Sequence, residues 1–122
     1  MRPSGLRLRR VLLMTVTLKP TGTCPADQLL LLLRERWKTR VIYLLCEHGP
    51  LRFGELRRLL PGISPKVLTQ RLRELEADSI AWRQQDTMVP PRVTYGLTGM
   101  GNDVHASLKA LDAPAGRWLP DR

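Results

Sequence analysis

The stretch from Pro61 to Pro65 constrains this chain more than any other feature in it. Pro61-Gly62 closes one short helical pattern, and Ser64-Pro65 opens the next. Glycine suits the residue just past a helix end, serine caps a helix start, and proline fits the first helical position. Two short helices must therefore meet across a tight turn. The first covers Phe53 to Leu60, with Phe53, Leu56, Leu59 and Leu60 on one side. The second runs from Ser64 to about Ala77, with Leu68, Leu72 and Leu75 as its inward stripe.

The pattern then changes to period two. Ile80 and Trp82 alternate with Ala81 and Arg83, and Val93, Tyr95 and Leu97 alternate with Thr94 and Gly96. The Asp86–Pro91 loop between them is too long for a two-residue turn, so the spacing predicts a β-hairpin with an extended tip. Upstream, Pro25 starts a helix, and Leu29–Leu33 is apolar on every side. Trp37, Val41, Leu44 and Leu45 continue at helical spacing until Gly49-Pro50. Because Arg34-Glu35-Arg36 holds no breaker, one helix or two are both compatible with residues 25–48. A last helix is expected from Gly101 to Leu111, stopped by Pro114 and Gly116. Helix, helix, turn, helix, strand, wing, strand, helix is the order of a winged helix-turn-helix, an α+β domain that is mostly α. Residues 1–23 read as a basic, flexible extension, 24–112 as the domain and 113–122 as a C-terminal tail.

Charge narrows the function. Twenty Lys/Arg oppose 11 Asp/Glu among 122 residues, a net charge of +9, which suits an anionic partner and nucleic acid first. Five of the basic residues lie in the extension, and ten lie between Arg34 and Arg73. The apolar share of 43% supports a core, while apolar runs such as Leu29–Leu33 are far short of a membrane span, which needs about 20 residues. Arg2, Arg7, Arg9 and Arg10 ahead of Val11–Met14 resemble the start of a signal peptide. Thr15 and Thr17 interrupt that pattern and no small-x-small cleavage site follows, so the expected readings are a basic arm or a chain that starts at Met14. Two cysteines are too few for a disulfide scaffold, and a reducing cytoplasm is expected.

In a helix-turn-helix, the second helix enters the major groove and its first residues approach base edges. Here that helix starts at Ser64, whose free amides can hold a phosphate. Lys66 and Arg73 suit phosphates or guanine, Gln70 suits adenine, and Thr69 suits a thymine methyl. The same side chains on an arbitrary helix would be a solvated face; the turn before them and the hairpin after them favour DNA. Arg83 and Arg92 lie on the non-apolar alternation of the hairpin, where they suit a narrow minor groove or simple solubility. Arg52, Arg57 and Arg58 border the first helix of the motif and can grip the backbone.

From Cys24 to Leu97 the chain resembles the HxlR-type, MarR-like winged-helix transcriptional regulators. The resemblance rests on Cys24-Pro25, Trp37, Gly49–Leu56, Leu60–Ser64, Leu68-Thr69-Gln70, Leu72–Glu76, Pro90–Val93 and Tyr95–Thr98. It implies a dimeric DNA-binding repressor or activator whose terminal helices form the dimer contact. It also implies that Lys66, Thr69 and Gln70 read DNA and that Arg92 lies in the wing. Three departures stand out: Arg34-Glu35-Arg36 in place of small residues, Asp78-Ser79 in place of Asp-Gly, and a last helix interrupted by Pro114 and Gly116.

Cys24, at a helix start, is placed where the helix dipole favours a thiolate, and some members of the resembled family sense oxidants or electrophiles with a cysteine there. An inert gap-filling thiol is the alternative. Cys46, beside Leu44-Leu45, is expected to be buried and inert. Cys46-x-His48 supplies too few ligands for a zinc site, and His105 reads as a surface or interface residue. No metal, cofactor or catalytic constellation is expected; Gly96–Gly101 has the wrong order for a dinucleotide loop. The expected function is a homodimeric, sequence-specific regulator of a palindromic double-stranded DNA operator, responsive to a small-molecule or redox effector that the sequence does not identify, with no membrane role. The rivals are a protein-interaction module and a non-specific nucleic-acid binder, although six aromatic residues offer few stacking platforms.

Overall fold

The computed structural model describes residues 24–119 and 121, so the expectations for residues 1–23 lie outside the described residues. The elements are α1 (Pro25–Leu33), α2 (Lys38–His48), β1 (Leu51–Arg52), α3 (Phe53–Leu59), α4 (Pro65–Ala77), β2 (Ala81–Gln85), β3 (Val93–Leu97), α5 (Gly99–Lys109) and α6 (Asp112–Trp118). None of the described helices is long and apolar enough to cross a membrane.

Residues 25–48 form two helices. Trp37 adopts a left-handed backbone conformation (φ 84°) and turns the chain into α2. Its ring takes the Arg36 guanidinium at 4.7 Å and that of Arg40 at 5.2 Å, cation–π contacts that hold the indole at this corner. The break therefore falls at a left-handed tryptophan stacked on its sequence neighbours, not at a glycine or proline.

The core lies where α2, α3 and α4 meet the sheet. Val41, Ile42, Leu56, Leu60, Leu68 and Leu75 are fully buried, and Leu72 and Ile80 nearly or wholly so. The three leucines of α4 are the predicted stripe. Cys46 corrects the expectation of burial, for it is exposed. The buried face of α2 runs through Lys38, Val41, Ile42 and Leu45, and the next residue is rotated about 100° off that stripe.

The hairpin is present, and a third strand joins it. The sheet order is β1-β3-β2, all antiparallel, with Leu51 opposite Tyr95, Arg52 opposite Thr94, Trp82 opposite Gly96 and Arg83 opposite Tyr95. Arg83 is thus on the Tyr95 and Leu51 side of the sheet, not on a shared polar side. The apolar alternations of the two strands face opposite ways because Trp82 packs over Gly96, where a Cβ would collide with the indole. Ser79, standing where the resembled family has glycine, takes the left-handed conformation itself (φ 61°).

Thr98 closes the root of the hairpin. Its hydroxyl donates to the Ser79 and Ile80 carbonyls and accepts from the Gly101 N–H, so α5 starts at Gly99, two residues before the predicted Gly101. Gly101 sits against the Ile80 carbonyl, which leaves no room for a Cβ. The C-terminal tail expected from residue 113 is replaced over most of its length by α6. Pro114 is the third residue of that helix, within the first turn, where a missing N–H costs no intrahelical bond.

Candidate DNA-binding surface

The turn and α4 form the predicted motif. Gly62 takes φ 93°, which only glycine adopts readily, and Ser64 caps α4 by accepting the Val67 N–H at 3.1 Å. Pro65 occupies the first position, and Leu68, Leu72 and Leu75 hold the helix against the core. The opposite face is therefore forced outward. Ser64, Lys66, Gln70 and Arg73 are exposed and Thr69 is half-buried. Pro65, Lys66, Thr69, Gln70 and Arg73 line one open depression. The structure thus brings four of the candidate DNA-contacting residues, Lys66, Thr69, Gln70 and Arg73, to one place. The arrangement presents two cations, an amide and a hydroxyl on one outward helix face, groups that can donate to base edges and phosphates.

The flank of α4 carries a charge network that sequence reasoning missed. Lys38 is 4% exposed and places its ammonium 3.4 Å from Glu74 Oε1. Arg71 reaches the same oxygen at 2.8 Å and Glu35 Oε1 at 3.3 Å. The remaining Glu74 oxygen, Oε2, accepts from Gln70 Nε2 at 3.5 Å. One carboxylate therefore ties the first turn of α2 to α4 and touches a residue of the outward face. The signal in the sequence was the i,i+3 pair Arg71/Glu74 and the i,i+4 pair Gln70/Glu74; nothing local marks Lys38 as buried.

The other candidate cations are separated from α4 along the chain. Arg52 is exposed in β1, and its N–H donates to Glu55 Oε1 at 2.9 Å, which fixes the start of α3. Arg57 and Arg58 are exposed in the last turn of α3. Arg83 is exposed in β2 and donates to Gln85 Oε1 at 3.3 Å. Arg92 is exposed beside the wing tip. Asp86 organises that tip: its Oδ1 accepts from the Arg92 N–H at 3.0 Å and the Met88 N–H at 3.1 Å. The Arg92 N–H does most to hold the Asp86 carboxyl below the usual range, helped by the Met88 N–H and the charges of Arg92 and Arg52.

Cys24 is exposed at the N-cap of α1, where its carbonyl accepts the Asp27 N–H at 3.0 Å. His105 is half-buried, its ring edge-on to Tyr43 with centroids 4.9 Å apart. The Tyr43 hydroxyl points to Asp112 Oδ1 at 3.4 Å. Partial desolvation, and then the Asp112 carboxylate, raise the Tyr43 phenol above its ordinary value.

Comparison with known proteins agrees with this geometry. The family described as HxlR-like helix-turn-helix matches residues 32–122. The HTH-type transcriptional regulator BH0655 of Halalkalibacterium halodurans is 45% identical over 87 residues, 71% of this chain and 77% of that protein. YkvN of Bacillus subtilis, also named an HTH-type transcriptional regulator, is 42% identical over 62% of this chain, and the match spans 64% of its own length. The reduced form of the transcriptional regulator YodB from B. subtilis superposes with a TM-score of 0.71 at 36% identity, covering 79% of this chain and 94% of that one. The redox regulator HypR in its reduced form gives a TM-score of 0.73 at 35% identity, covering 80% and 95%. The chain belongs to the HxlR-like helix-turn-helix family of transcriptional regulators.

Proposed function

We propose that this chain is a homodimeric repressor acting in the cytoplasm, which binds a palindromic double-stranded DNA operator. Each protomer inserts α4 into a major groove and lays the hairpin of about residues 80–98 on flanking DNA. The observation that carries this reading is the outward face of α4, where Lys66, Thr69, Gln70 and Arg73 follow a capped start. Arg52, Arg57, Arg83 and Arg92, all exposed, supply backbone and flanking contacts. Dimerisation is supported by apolar side chains left in water on the terminal helices: Leu30 and Leu31 on α1, and Leu111, Trp118 and Leu119 at α6. Two-fold symmetry then pairs two half-sites about one helical turn, or a multiple, apart.

Exposed Cys24 supports thiol sensing. HypR has been solved in reduced and oxidised forms and YodB after treatment with diamide. In this reading two thiols form one S–S bond, and their two electrons and two protons pass to an oxidant of the azo type. The test is selection of bound sequences from random duplex DNA with reduced and with diamide-treated protein. The expected result is one enriched palindrome, lost with Lys66→Ala/Gln70→Ala/Arg73→Ala and weakened by oxidation. Enrichment of no sequence would leave a protein-interaction module or a non-specific binder as the better account. Equal binding in both redox states, unchanged by Cys24→Ser, would remove the sensing role.

A further inference from the structure

The tip of the wing is apolar, and a surface that only grips phosphates has no use for that. Between the paired ends of the loop, Met88 is 52% exposed and Val89 94% exposed, followed by exposed Pro90 and Pro91. The described residues include no apolar side chain more exposed than Val89 among the large hydrophobics. The tip is also built. Asp86 Oδ1 holds the Met88 and Arg92 N–H groups, the Asp86 N–H donates back to the Arg92 carbonyl at 3.0 Å, and two successive prolines fix φ. The loop is thus clamped at its base and projects Met88 and Val89 away from the sheet.

We propose that Met88 and Val89 form a wedge that enters the minor groove and opens a base step, kinking the duplex toward the major groove. This rests on the reading of α4 as the major-groove element. Charge complementarity names the occupant. Exposed Arg92 adjoins the tip, and its charge and that of Arg52 act on Asp86 at the loop base. Arg92 thus puts an exposed cation beside the apolar tip, the charge that the phosphates lining a narrow minor groove attract. Apolar wedges of this kind unstack base steps and bend DNA by about 20–90°. The cost is least at pyrimidine–purine steps, so the wing adds a preference for TA or CA/TG at positions where no side chain hydrogen-bonds a base.

The experiment uses the full chain and a 40-base-pair duplex recovered by selection with it from a random pool. The duplex carries a donor–acceptor dye pair at its ends and 2-aminopurine at each flanking step in turn. The wild-type protein is expected to shorten the end-to-end distance and to raise 2-aminopurine fluorescence at one step per half-site. Met88→Ser/Val89→Ser, both at exposed positions, is expected to leave the duplex straight and stacked, with affinity about tenfold weaker and an unchanged salt slope. Val89→Leu with Met88 retained is expected to keep the kink. A wild-type complex that is straight and stacked, or a serine variant that bends the duplex as the wild type does, overturns the wedge while leaving the major-groove reading intact. Failure to recover any duplex, or binding insensitive to Lys66→Ala/Gln70→Ala/Arg73→Ala, overturns both.

Discussion

Glu74 is the residue whose removal should reveal most about how α4 is held. Its carboxylate is the acceptor for Lys38 at 3.4 Å and Arg71 at 2.8 Å. The Lys38 side chain is 5% exposed and that of Arg71 13%, whereas that of Glu74 is 31% exposed. Removing one member of a fully buried pair costs about 3–5 kcal/mol, because a charge is left without its partner in low dielectric. An exposed pair is worth about 0–1 kcal/mol. Glu74 lies between these limits, and Arg71 retains Glu35 at 3.3 Å. Glu74→Ala should therefore cost about 2 kcal/mol, a fall in Tm of about 10 °C for a domain of this size. Circular dichroism during reversible thermal unfolding measures it, with Glu76→Ala on the exposed side of α4 as a control expected within about 0.5 kcal/mol of the wild type. Lys38→Met combined with Glu74→Gln should lose less than the sum of the single changes, by about 1 kcal/mol or more. A Glu74→Ala protein as stable as the control, or strict additivity in the double variant, would refute the reasoning.

Three further outcomes follow from the geometry. Ser64→Ala removes the acceptor of the Val67 N–H and should lower stability by about 1 kcal/mol in urea denaturation, with Ser64→Asp restoring it. Gly96→Ala should destabilise by about 1–3 kcal/mol because its Cβ meets the Trp82 indole, and Trp fluorescence should shift; Gly99→Ala, where a Cβ meets nothing, serves as its comparison. Asp86 has a depressed pKa in the folded wing, so its contribution is present above the ordinary carboxylate value and fades as pH falls through the depressed one. Protection of the Met88 and Arg92 amides, taken relative to the intrinsic exchange rate at each pH, should therefore fall at acid pH, and Asp86→Asn should remove that dependence; an unchanged protection profile would show that the loop does not need the carboxylate.

Elements with a local cause could be read from the chain. Ser64-Pro65 marks the start of α4, and the spacing of Leu68, Leu72 and Leu75 marks its buried side, so the outward face followed by elimination. The hairpin was legible for the same reason, as a change of period. What escaped either carries no periodic signature or depends on partners distant in sequence. The corner at Trp37 is a left-handed residue whose indole stacks on the neighbouring Arg36 and Arg40, and β1 is only two residues long, too short for any alternation. Cys46 sits one residue past a buried leucine, and apolar neighbours concealed a rotation about the helix axis. Pro114 and Gly116 argued for a break, but breakers act by position, and the first turn of a helix tolerates proline. The Lys38–Glu74–Arg71 network joins two helices and has no signature in either one.

The two-residue strand β1 has a mechanical consequence. It is hydrogen-bonded to β3 on one side and runs without a linker into α3 on the other. The wing is therefore hinged to the front of the helix-turn-helix, not to its end alone. The strand pairing that seats the hairpin is thus continuous with the start of α3, so if α4 and the hairpin both contact DNA as proposed, the distance between those contacts is set within the protein by this one pairing.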